Sequence, residues 1–128
     1  MNTIYSKIAA ILAVIIGAMA IAAGGQVLMG KVMDYYVIDW VPVYNFAVGV
    51  VSVFVTAILI WKNHQYALPA AIITLFAHGL VMVILQTAYK DAVAIDSIVA
   101  MTVRITAWLM ILGLLWFQKR KTKVLALG

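Results

Sequence analysis

Cysteine is absent from the 128 residues. That removes disulfides, thiolate metal sites, iron–sulfur ligation and dithiol redox chemistry from the functions open to the chain. Acidic residues are almost absent too: the four are Asp34, Asp39, Asp91 and Asp96, and none falls inside a long apolar run. A membrane-embedded carboxylate of the kind on which proton-coupled exporters turn is therefore excluded, as is an arginine–acid pair within the hydrocarbon. Charged residues of either sign make up 10% of the chain and hydrophobic residues 67%. A soluble domain this small has too little interior to hide so much apolar surface. The composition is that of a membrane protein.

What is present is four uncharged runs, at 8–30, 40–61, 67–89 and 97–118, the last broken only by Arg104. Each is long enough to cross a bilayer as a helix, and spans are placed at 8–30, 43–61, 67–89 and 97–118. Together they occupy nearly the whole chain, so residues 1–128 read as a single four-span transmembrane domain. The links are short, which makes neighbours in sequence neighbours in space. The expected fold is all-α, an antiparallel four-helix transmembrane bundle. Lys7 before an apolar stretch, with Ala-x-Ala at 18–20 and 20–22, also has the form of a secretory signal; the reading adopted is a retained first helix.

Lys7, Lys62, Lys119, Arg120, Lys121 and Lys123 gather on one face with no acidic residue, while Lys31 and Lys90 share the other with all four aspartates. This asymmetry predicts both termini in the cytoplasm, with a prokaryotic inner membrane as the setting. Tyr35, Tyr36, Trp40, Tyr44 and Tyr89 fall near the outer boundary, and Tyr5, Trp61, Tyr66 and Trp116 near the inner one, as amphipathic rings prefer. The net charge of +5 does not point to nucleic acid, because the basic residues flank apolar spans and belong to no nucleic-acid motif. Anionic lipid headgroups are the expected partner of the basic tail 119–123, which acts as an anchor. The segment 31–44 is expected along the outer surface, as a short stretch or turn that caps the bundle.

Polar residues inside the spans carry the functional signal. Arg104 lies about 10 Å below the outer boundary at about 1.5 Å per residue, where a guanidinium stays charged at a cost. Either it snorkels to headgroups or a loop aspartate, with Asp34 and Asp39 as good partners as Asp96, or it faces the interior and binds an anionic or carbonyl-bearing molecule. His78 is the midpoint of the third run and needs a partner: an interhelical hydrogen bond is one reading, a ligand contact or proton relay the other. Asn45, Gly49, Ser52 and Thr56 form one stripe on the second span, Ser97, Met101, Arg104 and Trp108 another on the fourth, and Thr74, His78, Met82 and Gln86 a third. Turned inward, these stripes predict a semi-polar interior toward the outer half. The candidate ligand-binding residues are Arg104, His78, Gln86, Asn45, Ser52 and Trp108; no catalytic or metal site is expected. Small residues on the first span, chiefly Ala13, Gly17, Ala20 and Gly24, form a packing seam, internal or toward another chain. Gly24, Gly25 and Gly30 suggest a loosened or turned helix exit.

The Gly-rich exit of the first helix (Gly24, Gly25, then Gly30-Lys31), the short outer segment closed by Pro42, the inward Gly49 and the Ala-rich third helix resemble the DoxX-like group of small four-helix membrane proteins. The resemblance covers roughly residues 5 to 88; the fourth helix, with Arg104 and Trp108, matches no pattern of the group. It implies a membrane subunit that handles a quinone or similar lipid-like molecule, since members are associated with quinone-linked redox complexes, including a thiosulfate:quinone oxidoreductase subunit. No catalytic residue of the group carries over. The sequence thus favours a non-catalytic subunit packed against the bilayer and other membrane subunits or its own copies, with quinone or lipid as a non-covalent ligand. A self-sufficient carrier for a small organic or anionic solute is the alternative, and an intramembrane enzyme using His78 stands third for want of a second catalytic group.

Overall fold

The computed structural model describes residues 3–127, with side chains to Lys123, and among them every regular element is helical. Four helices cross: α1 (Ile4–Leu28), α2 (Val41–Trp61), α3 (Ala67–Thr87) and α4 (Ile95–Leu127). All four are long and apolar enough to span a bilayer. Their outward faces expose Ile11, Ile15 and Met19 of α1, Phe54 of α2, Ile73 and Phe76 of α3, and Leu109 and Met110 of α4. Side chains of that kind are stable outside only in lipid. The protein is an integral membrane protein built as a four-helix bundle. Its two ends are called here the acidic end, which holds the aspartates, and the basic end.

α1 is the centre of the packing. It lies against α2 and α4, α4 carries α3, and α2 and α3 form the lightest of the four seams. The α1–α2 seam is drawn tight by glycine. A Cβ on Gly49 would stand 2.6 Å from the Gly17 carbonyl oxygen, and one on Gly24 would press into the Pro42 carbonyl. Close approach of this kind gains dispersion contacts that lipid cannot match. Ala13, Gly17, Ala20 and Gly24 are all buried, so the small-residue face is an internal seam.

Gly24 and Gly25 sit in continuous helix, not in a loosened exit. The turn comes at Gly30 (φ 102°), where the Lys31 N–H returns to the Gln26 carbonyl at 3.0 Å and the Gly30 N–H to Val27. The same cap closes α2: Asn63 takes φ 52° and the His64 N–H returns to Leu59 at 2.9 Å. In both, a left-handed residue satisfies the last carbonyls of the helix. Midway along α2, Ser52–Thr56 forms a π-turn, with the Ala57 N–H reaching the Ser52 carbonyl. The extra residue lets Ser52, Thr56 and Ala57 all turn inward, Ser52 against Gly17.

The link across the acidic end is held as a cap. Ile38 and Val41 are buried with Val81, Leu85 and Met101, and the Trp40 indole N–H donates to the Tyr89 hydroxyl at 3.2 Å. At the basic end α4 runs beyond the expected boundary at 118, through the basic tail to Leu127. Its 33 residues extend about 50 Å at the helical rise, longer than the hydrocarbon is thick. Arg120 lies over the Trp116 ring and Lys121 over Tyr5, contacts that favour continued helix.

Candidate functional site

Arg104 points inward. Two turns into α4 it is 6% exposed, and its Nη1 donates to Asn45 Oδ1 at 2.5 Å and approaches Met101 Sδ at 3.6 Å. Asn45 is one turn into α2 on the face toward α4, close enough for its amide to take the place expected of a loop aspartate. No carboxylate of the described residues forms an ion pair with the guanidinium, so neither Asp34 nor Asp39 is its partner. A guanidinium has five N–H donors, and here only Nη1 is engaged; Nε and Nη2 meet no acceptor among the described residues.

Those donors border two clefts. A narrow one of about 60 Å³ runs from the acidic end between α1, α2 and α4 and is lined by Tyr35, Asn45, Leu85, Asp96, Ser97 and Arg104 among others. A wider one of about 550 Å³ lies between α1 and α4, walled by Ile16, Met19, Ala23, Val99, Ala100, Val103 and Arg104. Met19, Val99 and Val103 are exposed to lipid, so it opens sideways, at the level where acyl chains would lie. Asp96 lies on both clefts, nearer the acidic end. The arrangement presents hydrogen-bond donors of fixed positive charge in a slot that is otherwise apolar except for Asp96, which suits an acceptor group carried on a lipid-soluble body.

Next to this lies a second polar pair. The Tyr44 hydroxyl and His78 Nδ1 share a 2.7 Å hydrogen bond, their rings meet edge to face, and both groups lie within electrostatic range of Arg104. The imidazole at the membrane midplane thus finds its partner in a residue of α2 that aromatic-belt reasoning assigns to the boundary.

The six sequence candidates separate in space. Arg104 and Asn45 bond directly, and His78 stands beside them through Tyr44. Ser52 is buried in the π-turn against Gly17, on the sealed seam and not on either cleft. Trp108, one turn past Arg104, is fully buried in the apolar cluster with Ala13, Ile60, Ala71 and Ile111; its indole N–H has no hydrogen-bond partner among the described residues. Gln86 lies on the exposed surface of α3, a correction to its expected inward position, because the buried stripe runs Thr74, His78, Val81, Leu85.

A polar cluster absent from the sequence candidates lies at the basic end. Gln118 of α4 is fully buried and its Oε1 accepts the Ser6 N–H at 3.3 Å, capping a first turn of α1 for which Thr3 provides no side-chain bond. The Ser6 hydroxyl donates to Asn63 Oδ1 at 3.2 Å, and Gln118 Nε2 donates to the Thr122 hydroxyl. Three helix ends are stitched by one network. Compared with protein-family models, with curated proteins and with solved structures, the chain matches none.

Proposed function

We propose that this chain is a small, non-catalytic integral membrane subunit that packs within a larger membrane assembly and contributes a semi-polar pocket for a quinone or similar lipid-like molecule. Arg104 is its principal contact, donating to a carbonyl or other acceptor group, with Asn45 orienting the guanidinium and the Tyr44–His78 pair forming the polar wall behind it. The observation that carries this reading is the buried guanidinium with donors unmet by protein, at the base of a cleft that opens toward acyl chains. Holding such a charge within the membrane is costly, and a bound acceptor offsets that cost. The DoxX-like resemblance and its association with quinone-linked redox complexes point the same way. An apolar groove of about 330 Å³ between α1 and α2, walled by Ile11, Val14, Ile15, Val53 and Ile58, gives a neighbouring membrane helix a seat. The charge asymmetry of the two ends supports both termini on the cytoplasmic side of a prokaryotic inner membrane.

The carrier alternative has less behind it: beyond Arg104 the bundle is filled by Trp108, Ile60, Ile111 and Leu115, leaving a solute no conduit. Purification in a mild detergent followed by native mass spectrometry with lipid extraction tests the proposal. The expected result is co-purifying membrane chains together with a bound quinone or carbonyl-bearing lipid. A lone chain carrying no such molecule would overturn it.

A further inference from the structure

At the basic end a cleft of about 550 Å³ separates the start of α3 from the end of α4. Its lining is apolar at Leu68, Ile72 and Leu115 and polar at His64, Gln65 and Thr122, and α4 adds Lys119 and Lys123. These lysines are four residues apart and so share one helix face. From Leu115 to Lys123 the helix advances about 12 Å, enough to pass from acyl chains to headgroups. The wall facing α4 is fixed by the left-handed Asn63, which Ser6 holds by a hydrogen bond.

The basic residues of this end divide into two sets. Lys7 sits 4.0 Å over the Trp61 ring and donates to the Trp61 carbonyl; Arg120 and Lys121 lie over Trp116 and Tyr5. Lys62, Lys119 and Lys123 have no ring, carboxylate or side-chain hydrogen-bond partner among the described residues, and every acidic residue of the chain lies toward the opposite end. Of these three, Lys119 and Lys123 border the cleft, and Lys62 stands outside it.

We propose that this cleft is a binding site for one anionic glycerophospholipid, its phosphodiester between Lys119 and Lys123 and an acyl chain along Leu68, Ile72 and Leu115. The site is independent of Arg104 and holds whether or not that residue binds a ligand. The test titrates the full chain in neutral detergent with phosphatidylglycerol, phosphatidylcholine or inorganic phosphate, read by native mass spectrometry. One phosphatidylglycerol is expected to bind, more tightly than phosphatidylcholine and without displacement by equimolar phosphate. At about 1 kcal/mol per lysine near a headgroup, K119Q/K123Q weakens it about 25-fold. The charge-matched R120Q/K121Q, whose cations are held by rings, changes it less than about 2-fold. Ile72→Trp, which fills the apolar half and removes no charge, also weakens it. Equal losses in the two double variants, equal binding of phosphatidylcholine, displacement by phosphate, or full binding by Ile72→Trp would each overturn the proposal.

Discussion

Two polar clusters interrupt the apolar interior of this bundle, and they differ in how far the protein satisfies them. At the basic end Ser6, Asn63, Gln118 and Thr122 bond to one another and tie three helix ends together. At the acidic end Arg104 has one nitrogen engaged and two without an acceptor, at the base of a lipid-facing cleft. A buried network whose members meet one another's needs strengthens a fold, while one left partly unmet weakens it. The first cluster reads as architecture and the second as a site awaiting its ligand, so substitutions should move stability in opposite directions at the two ends.

The scale is set by the seam that lies between them. Gly49→Leu forces a side chain into the α1 backbone at Gly17 and Ile21, and a loss of about 3 kcal/mol or more is expected at the upper end of overpacking costs, measured as reversible unfolding in detergent. Gln118→Leu comes next. It leaves the Ser6 N–H buried without an acceptor and should cost about 2 kcal/mol, visible in the same experiment and as faster amide exchange in the first turn of α1. Arg104→Leu should behave oppositely, leaving the ligand-free protein as stable as wild type or more stable by about 1 kcal/mol, since it removes a charge held in the membrane. A loss as large as that of Gln118→Leu would erase the distinction between the clusters. The smallest effect is expected between Tyr44 and His78. A double-mutant cycle of Tyr44→Phe and His78→Phe should give a coupling of about 1 kcal/mol, as for hydrogen bonds between membrane helices; a coupling near zero would detach that pair from the site.

Much of this was legible in the sequence, and the parts that were not share a cause. The spans stand out because twenty uncharged residues are a strong signal, and the inward turn of Arg104 and His78 follows from placing polar groups away from lipid. Gln86 was misplaced by stepping four residues at a time from Thr74, which drifts about 40° per step and about 120° over three. Steps of four, three and four instead give Thr74, His78, Val81 and Leu85, the buried set. The same alternation carried down α4 from Met101 through Arg104, Trp108, Ile111 and Leu115 ends on Gln118, all of them buried. Gln118 was thus within reach of the pattern but stood at the run's last position, where a polar residue reads as boundary. Asn45 as the acceptor for Arg104, and Tyr44 as the partner of His78, depend on how two helices are rotated against each other, which one sequence does not encode at that precision.

The central claim, that Arg104 is held inward for a ligand and not for the fold, is tested most directly by ligand-induced stabilisation. Wild type and Arg104→Leu are unfolded thermally in neutral detergent with and without a short-chain, detergent-soluble quinone. At a hundredfold excess over its dissociation constant the ligand should stabilise wild type by about 2.7 kcal/mol, while the variant starts at or above the wild-type Tm and does not respond. A variant that responds as fully as wild type, or one that has lost its fold without ligand, would contradict the account.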